Sequence, residues 1–175
     1  KNNGPLDFST KNFMNISEQH EFMKQVIFPE SIPIKKHLDL SDEDYNLLYQ
    51  EMSILPRQSK HPEYPDYDSY YDGYCKFFIY GDTKDKIPDH IKIFNKVGLA
   101  YGFLLDNAYI IDIKNNVEFI LTAVVYHNEN ETMNDDKYEY DDITIPFLAE
   151  LGRKIYDNEL VRDKFFLPDF SRFIN

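Results

Sequence analysis

The sequence predicts an α+β domain, in which an antiparallel sheet of at least three strands in a meander is covered by helices. Three observations lead to this prediction. Apolar residues recur at helical spacing in the first half of the chain, residues 1–90. Three strand-like segments then follow one another between residues 91 and 126, separated only by short turns. A helical pattern returns near residue 143.

Two helices in the first half carry clear start signals. Asn15, with Glu18 three positions later, predicts a capping box for a helix that begins near Ser17. Ser41 is a good N-cap for the second helix, whose apolar stripe runs to Leu55. We therefore expect the first half to be mainly helical.

A third helix is predicted over residues 69–80, although residues 76–80 also fit a strand. Gly81 would end it. The aromatic cluster between Tyr64 and Tyr80 is interpreted as core packing in preference to a carbohydrate or peptide platform. Cys75, the single cysteine, is expected to be a buried apolar residue on this helix, and the alternative is a nucleophile paired with a distant histidine.

The second half predicts the sheet. Residues 91–98 alternate, residues 104–113 are rich in Ile and Tyr, and residues 117–126 are β-branched and apolar. Asn115 and Asn116 tolerate positive φ, so residues 114–116 predict a tight hairpin turn. An acidic loop over residues 127–142 precedes a last helix that begins near Ile143, with Pro146 in its first turn. The aromatic tail, residues 165–175, is expected to pack back on the domain.

Composition limits the possible functions. The chain has 175 residues, of which 42% are hydrophobic and 16% are aromatic, so we expect residues 1–175 to fold as a single domain with a real core. The formal net charge of -12 repels phosphate, so nucleic acid is not an expected partner. No apolar run reaches the roughly 20 residues that a membrane-spanning helix needs, and no signal peptide opens the sequence.

Metal and cofactor sites have little support in the sequence. None of the five histidines forms an i, i+4 pair or a tight cluster. The acidic run from Glu129 to Asp142 lacks the glycine and the spacing of an EF-hand loop, and is interpreted as a solvated loop. We expect neither a metal nor a cofactor.

The most informative segment lies at the end of the first strand. Lys96-Val97-Gly98 leads through Tyr101-Gly102 into a strand that opens with Asp106-Asn107-Ala108-Tyr109-Ile110. A third strand and an amphipathic helix follow. This order resembles the penicillin-recognising serine hydrolases, which carry Lys-Thr/Ser-Gly on the strand beside the active site. The Tyr-Gly turn and the Asp-x-Ala-x-Ile pattern are similar to those of class A β-lactamases.

The resemblance implies roles for individual residues. Lys96 would supply positive charge to the site, Gly98 would let substrate lie against the strand, and the Leu99 N–H would be an oxyanion donor. Val97 and Tyr101 would contact substrate, expected to be a small molecule or a peptide. The alternative for Lys96 is a strand-end lysine that guards a sheet edge.

The chain also departs from the family. Val97 stands where the family has Thr or Ser, and no serine is followed by lysine three positions later, so the nucleophile motif is absent. We expect the chain to be the C-terminal part of a larger serine hydrolase of the periplasm or cell envelope, with residues 1–90 mainly helical and residues 91–175 forming the strands and last helix. The alternative is a degenerate, catalytically inactive binding module. The sequence does not predict the oligomeric state.

Overall fold

The computed structural model describes residues 9–10 and 13–174. Its architecture is α+β, as predicted: a three-stranded antiparallel sheet in the order β1-β2-β3 has helices on both faces. The strands are β1 (Ile91–Ala100), β2 (Phe103–Asp112) and β3 (Val117–Tyr126). The α-helices of the described residues are α1 (Ile16–Ile27), α2 (Asp42–Ser53), α3 (Phe77–Tyr80) and α4 (Ile145–Val161), and short 3-10 and π-helical turns lie between them.

Both predicted helix starts are confirmed. The Oδ1 of Asn15 accepts from the Glu18 N–H at 2.8 Å, and the Glu18 carboxylate accepts from the Asn15 N–H at 3.1 Å. Ser41 and Asp44 make the same reciprocal pair at the start of α2. Each pair satisfies donors that a helix N-terminus otherwise leaves open, so these helices begin where local sequence dictates.

The meander is regular throughout. β1 pairs with β2 over ten residues, from Ile91 opposite Asp112 to Ala100 opposite Phe103, and β2 pairs with β3 over ten residues. The predicted turn at residues 114–116 is confirmed, because Asp112 accepts from the N–H groups of Lys114 and Asn115. With no bulge in either ladder, side chains alternate strictly between the two faces.

Each face has its own core. One face packs on α4 and the α3 segment, and its buried residues include Ile93, Ile110 and Leu148. The other face packs on α1, α2 and a C-terminal 3-10 turn, and includes Phe94 and Tyr109. The sheet is therefore the middle layer of three, and it fixes the positions of all the helices.

The third helix was predicted wrongly. Residues 72–75 form a 3-10 turn, and α3 is only four residues long, with Phe78 extended and Ile79 at a positive φ of 71°. The cause is long-range: the Asp106 carboxylate on β2 accepts from the N–H groups of Phe77 and Phe78, at 3.1 and 3.2 Å. Backbone donors held by a neighbouring strand are not available to a helix.

The structure corrects two smaller expectations, one for Cys75 and one for the C-terminal tail. Cys75 is exposed, not buried on a helix. The tail packs back only through Phe170 and Phe173, while residues 165–167 are exposed and Asn175 lies outside the described residues. The last helix begins at Ile145, two residues from the predicted start near Ile143, and Pro146 lies in its first turn as predicted; a π-helical turn occupies Tyr140–Thr144 ahead of it.

Candidate functional site

The segment singled out by the sequence is the exposed end of an edge strand. Lys96, Gly98 and Leu99 are all exposed, and Leu99 retains 54% of its accessible surface. Val97 is half-buried and packs against the core on the α4 face of the sheet, and Tyr101 in the following turn is half-buried as well. The last five residues of β1 thus contact solvent, whereas the first five are largely buried.

The turn that follows sets the hydrogen-bonding pattern of this edge. Tyr101 and Gly102 have φ angles of 55° and 85°, the two positive values of a type I′ hairpin. A Cβ on Gly102 would lie 2.5 Å from the carbonyl oxygen of His127, so the position also needs glycine for space. The Gly102 N–H donates to the Tyr140 hydroxyl at 2.9 Å, which ties the turn to the approach to α4.

A two-residue type I′ hairpin makes Ala100 and Phe103 a hydrogen-bonded pair, and such pairs alternate along an antiparallel ladder. The next pair, Leu99 and Leu104, is therefore not hydrogen-bonded, and the Leu99 N–H points away from β2. The same alternation of hydrogen-bonded and non-hydrogen-bonded pairs reaches the far end of the ladder. There His90 and Ile113 fall on a hydrogen-bonded position, and the Ile113 N–H donates to the His90 carbonyl at 2.9 Å.

The outer edge of β1 is sterically open at Gly98. An added Cβ on Gly98 would have no heavy atom within 4 Å beyond its own chain neighbours. The Nζ of Lys96 donates to the carbonyl of Val97 at 2.7 Å, and Lys96 does not line the cavity at the start of β1 or the one beside His20. The ammonium group, the open glycine and the Leu99 donor thus lie on the same exposed end of β1.

Sequence reasoning missed a buried polar network immediately beneath this segment. The Nζ of Lys76 donates to the Oδ1 of Asn95 and to the carbonyl of Met52, both at 2.7 Å. The amide nitrogen of Asn95 donates to Asp106 at 2.9 Å and to the carbonyl of Cys75 at 2.7 Å. Lys76 and Asn95 together thus join α2, the 72–78 segment and two strands.

In this network the side-chain amide of Asn95 lies between two buried ionisable groups, Lys76 and Asp106. Burial raises the pKa of Asp106 to about 6, against the lowering effect of the hydrogen bonds that it accepts. Burial lowers the pKa of Lys76 to about 8, against the raising effect of Asp106. A signal for it was available, because Asn95 and Asp106 are polar residues within apolar strand segments, and buried polar groups need partners.

Among residues 9–10 and 13–174, no group of three or more His, Cys, Asp or Glu side chains is arranged to hold a metal ion. Within the same residues, the longest helix is neither long nor apolar enough to cross a bilayer.

Comparison of the chain with models of known protein families, with curated proteins and with solved structures finds no match in any of the three.

Proposed function

We propose that this chain is the sheet-bearing part of a β-lactamase-like serine hydrolase of the cell envelope, which cleaves an amide or ester bond through an acyl-enzyme. The substrate, a β-lactam or a peptidoglycan peptide, lies along the outer edge of β1. The nucleophile and the opposite wall of the site come from residues outside this sequence.

One observation carries the proposal: the Leu99 N–H points off an open strand edge beside the Lys96 ammonium group and the uncovered Gly98. Acyl transfer needs backbone donors at the developing oxyanion and a cation for an anionic substrate group. A carbonyl oxygen on this edge would meet the Leu99 donor, while the missing Cβ at Gly98 leaves room for substrate to approach the backbone.

The opposite edge of the sheet supports the same proposal. The resemblance implies a larger sheet, with one strand contributed by the N-terminal end of the full fold. β3 has no strand partner on its outer side among the described residues, and its side chains are apolar except for Glu118 and Thr122. An additional strand on β3 would cover this edge.

The buried Lys76–Asn95–Asp106 network supports the proposed function because it holds β1 in a fixed position. Asn95 immediately precedes Lys96, and Asp106 lies opposite Val97 in the ladder. Because Asn95 is bonded to Lys76, Cys75 and Asp106, the strand is held immediately before the exposed segment begins. A site with backbone donors needs such support to keep its geometry.

A second function, a catalytically inactive binding module with the same fold, is favoured by Val97. Its side chain packs against the core and offers no hydroxyl at the position where the family has one. Such a module would bind a cell-envelope ligand along β1 without turnover.

Labelling of the longer protein that contains this chain tests the proposal. We expect a covalent adduct with a fluorescent penicillin or with a fluorophosphonate, and we expect Lys96→Gln to slow penicillin labelling by about tenfold or more because one charge-assisted contact is lost. Lys154→Gln, an exposed lysine on α4, is the matched control and should label at the normal rate.

The outcomes separate the two candidate functions. Absence of an adduct with either probe would rule out the hydrolase. Saturable binding of a peptidoglycan peptide without turnover, lost in Gly98→Ala, would then establish the binding module. Gly98→Ala suits both arms, because the new methyl group meets no atom of the described fold within 4 Å.

A further inference from the structure

A cavity of about 610 Å³ lies at the buried end of β1, remote from the exposed Lys96–Leu99 end of the strand. It is bounded by α2, by residues 54–58 and 87–89, by the start of β1 and by the C-terminal 3-10 turn. Three aromatic side chains, those of Tyr49, Phe94 and Phe173, form one wall. The volume falls in the range of small-molecule sites.

Residues 91–94 of β1 line this cavity. By the alternation of pairs described above, the N–H and C=O of Ile91 and Ile93 point away from β2. The Ile91 N–H donates to the Pro88 carbonyl at 2.9 Å. Ile93 is only 2% exposed, and none of the described residues bonds to its N–H or C=O on this side. A buried backbone pair of this kind requires a partner.

Two cations at the cavity already have carboxylate partners. The Arg57 Nε donates to the buried Asp72 at 2.9 Å, and the Arg172 Nη1 lies 3.1 Å from Glu30. These guanidinium groups still carry unused N–H donors, but their charges are largely balanced.

Lys92 differs from both arginines. Its Nζ donates to the Phe173 carbonyl at 2.6 Å, and no carboxylate lies within 4 Å of it among the described residues. The remaining carboxylate on the cavity lining, that of Asp89, lies 3.9 Å from Arg57 and is 99% exposed, so water screens it well. The cavity therefore suits a ligand with a single negative charge.

We propose that this cavity binds an N-acylated amino acid with an apolar side chain. The amide N–H donates to the Ile93 carbonyl and a carboxylate oxygen accepts from the Ile93 N–H, as a residue of an added strand would do. The carboxylate lies beside the Lys92 ammonium group, and the side chain packs on the aromatic wall.

This site is separate from the proposed acyl-transfer edge. Lys92 and Lys96 project on the same face of β1 but four residues apart, about 13 Å at the usual rise of a strand. The cavity can therefore be tested on this chain alone, and its failure would leave the proposed hydrolase function untouched.

The experiment is a titration of the ¹⁵N-labelled chain with N-acetyl-phenylalanine, followed by NMR, with affinities measured by calorimetry. We expect saturable shifts at the amides of Ile93 and Tyr49. N-acetyl-phenylalanine methyl ester, which lacks the charge, should bind about tenfold more weakly or worse, and phenylacetate, which lacks the amide, should also bind more weakly.

Two lysine variants form a matched pair. Lys92→Gln should weaken binding about tenfold, whereas Lys96→Gln should keep the cavity affinity within about twofold. The amide spectrum of each variant verifies that it folds. Absence of a saturable shift at Ile93 up to about 10 mM ligand, or equal affinity in Lys92→Gln and the parent chain, would overturn the proposal.

Discussion

The two outer edges of the sheet, on β1 and on β3, differ in how they are protected against pairing with another strand. β1 presents lysines at positions 92 and 96, and its buried end is flanked by α2. β3 has no lysine or proline and only one charged residue, Glu118, while Val124 and Tyr126 are 46% and 47% exposed. Exposed edges are normally protected by charge, proline or cover.

The difference indicates what each edge is built to meet. A charged, partly buried edge resists pairing with another strand but can accept a polar ligand. An apolar edge, ten residues long without a bulge, is suited to strand addition. We expect the largest effects from the buried Lys76–Asn95–Asp106 network beneath β1.

The largest expected effect comes from Asp106→Ala. The substitution leaves the N–H groups of Phe77 and Phe78 and the amide of Asn95 without their acceptor, and it leaves the Lys76 ammonium group buried without a counter-charge. We expect a loss of about 3–5 kcal/mol in the free energy of unfolding, measured by urea denaturation.

Two variants control this measurement. Asp142→Ala, at an exposed position, should change the free energy of unfolding by less than about 0.5 kcal/mol. Asp106→Asn keeps an oxygen acceptor and should lose about 1–3 kcal/mol, which keeps the prediction measurable if Asp106→Ala does not fold. Equal stability of Asp106→Ala and Asp142→Ala would contradict the structural role of the network.

The same network predicts an unusual pH dependence. The pKa of Asp106 is about 6 in the folded chain, above its ordinary value of 3.8. Between these values the folded chain holds a proton that the unfolded chain has released, so the free energy of unfolding falls as the pH rises from about 4 to about 6. The contribution is on the order of 1–3 kcal/mol.

Lys76 acts at higher pH. Its pKa of about 8 lies below its ordinary value of 10.5, so above pH 8 the unfolded chain binds the extra proton and the free energy of unfolding rises again. Denaturation at a series of pH values checks both windows. In Asp106→Asn the fall between about pH 4 and 6 should disappear, and parallel curves for parent and variant would refute the assignment.

The sequence was sufficient wherever the controlling contacts are local. The capping pairs of Asn15 and Ser41 and the turn at residues 114–116 depend on neighbours within a few positions, and the three strands follow one another with only short turns between them. The helix prediction for residues 69–80 was wrong because the geometry of this segment is set by Asp106, almost thirty residues further along the chain. Helical spacing carries no information about an acceptor supplied by another strand.

The candidate sites also differ in how far local sequence could predict them. Lys96, Gly98 and Leu99 are neighbours in sequence, so a motif could find them, and their roles stay predictions. The cavity beside Ile93 brings together α2, β1 and a turn near the C-terminus, and no spacing in the sequence joins Tyr49 to Phe173. Pattern reasoning finds sites on one strand more readily than sites between elements.

The smallest effect on stability, and the most direct test of the contrast between the edges, is Val124→Lys. Val124 is half exposed at the outer edge of β3, so the free energy of unfolding should change by less than about 0.5 kcal/mol. Self-association of the chain should nevertheless fall, because a lysine opposes pairing between two such edges. Light scattering after size-exclusion chromatography, over a range of concentrations, measures this change.

The reciprocal substitution, Lys96→Val, removes the charge that protects β1 and should increase self-association, again with little change in stability. If both variants behaved as the parent chain does, charge on the strand would not be what distinguishes the two edges. If only Val124→Lys had an effect, β1 would be protected by α2 and by the buried network beneath Asn95 rather than by Lys96, and its exposed end would be available to a ligand even without the lysine.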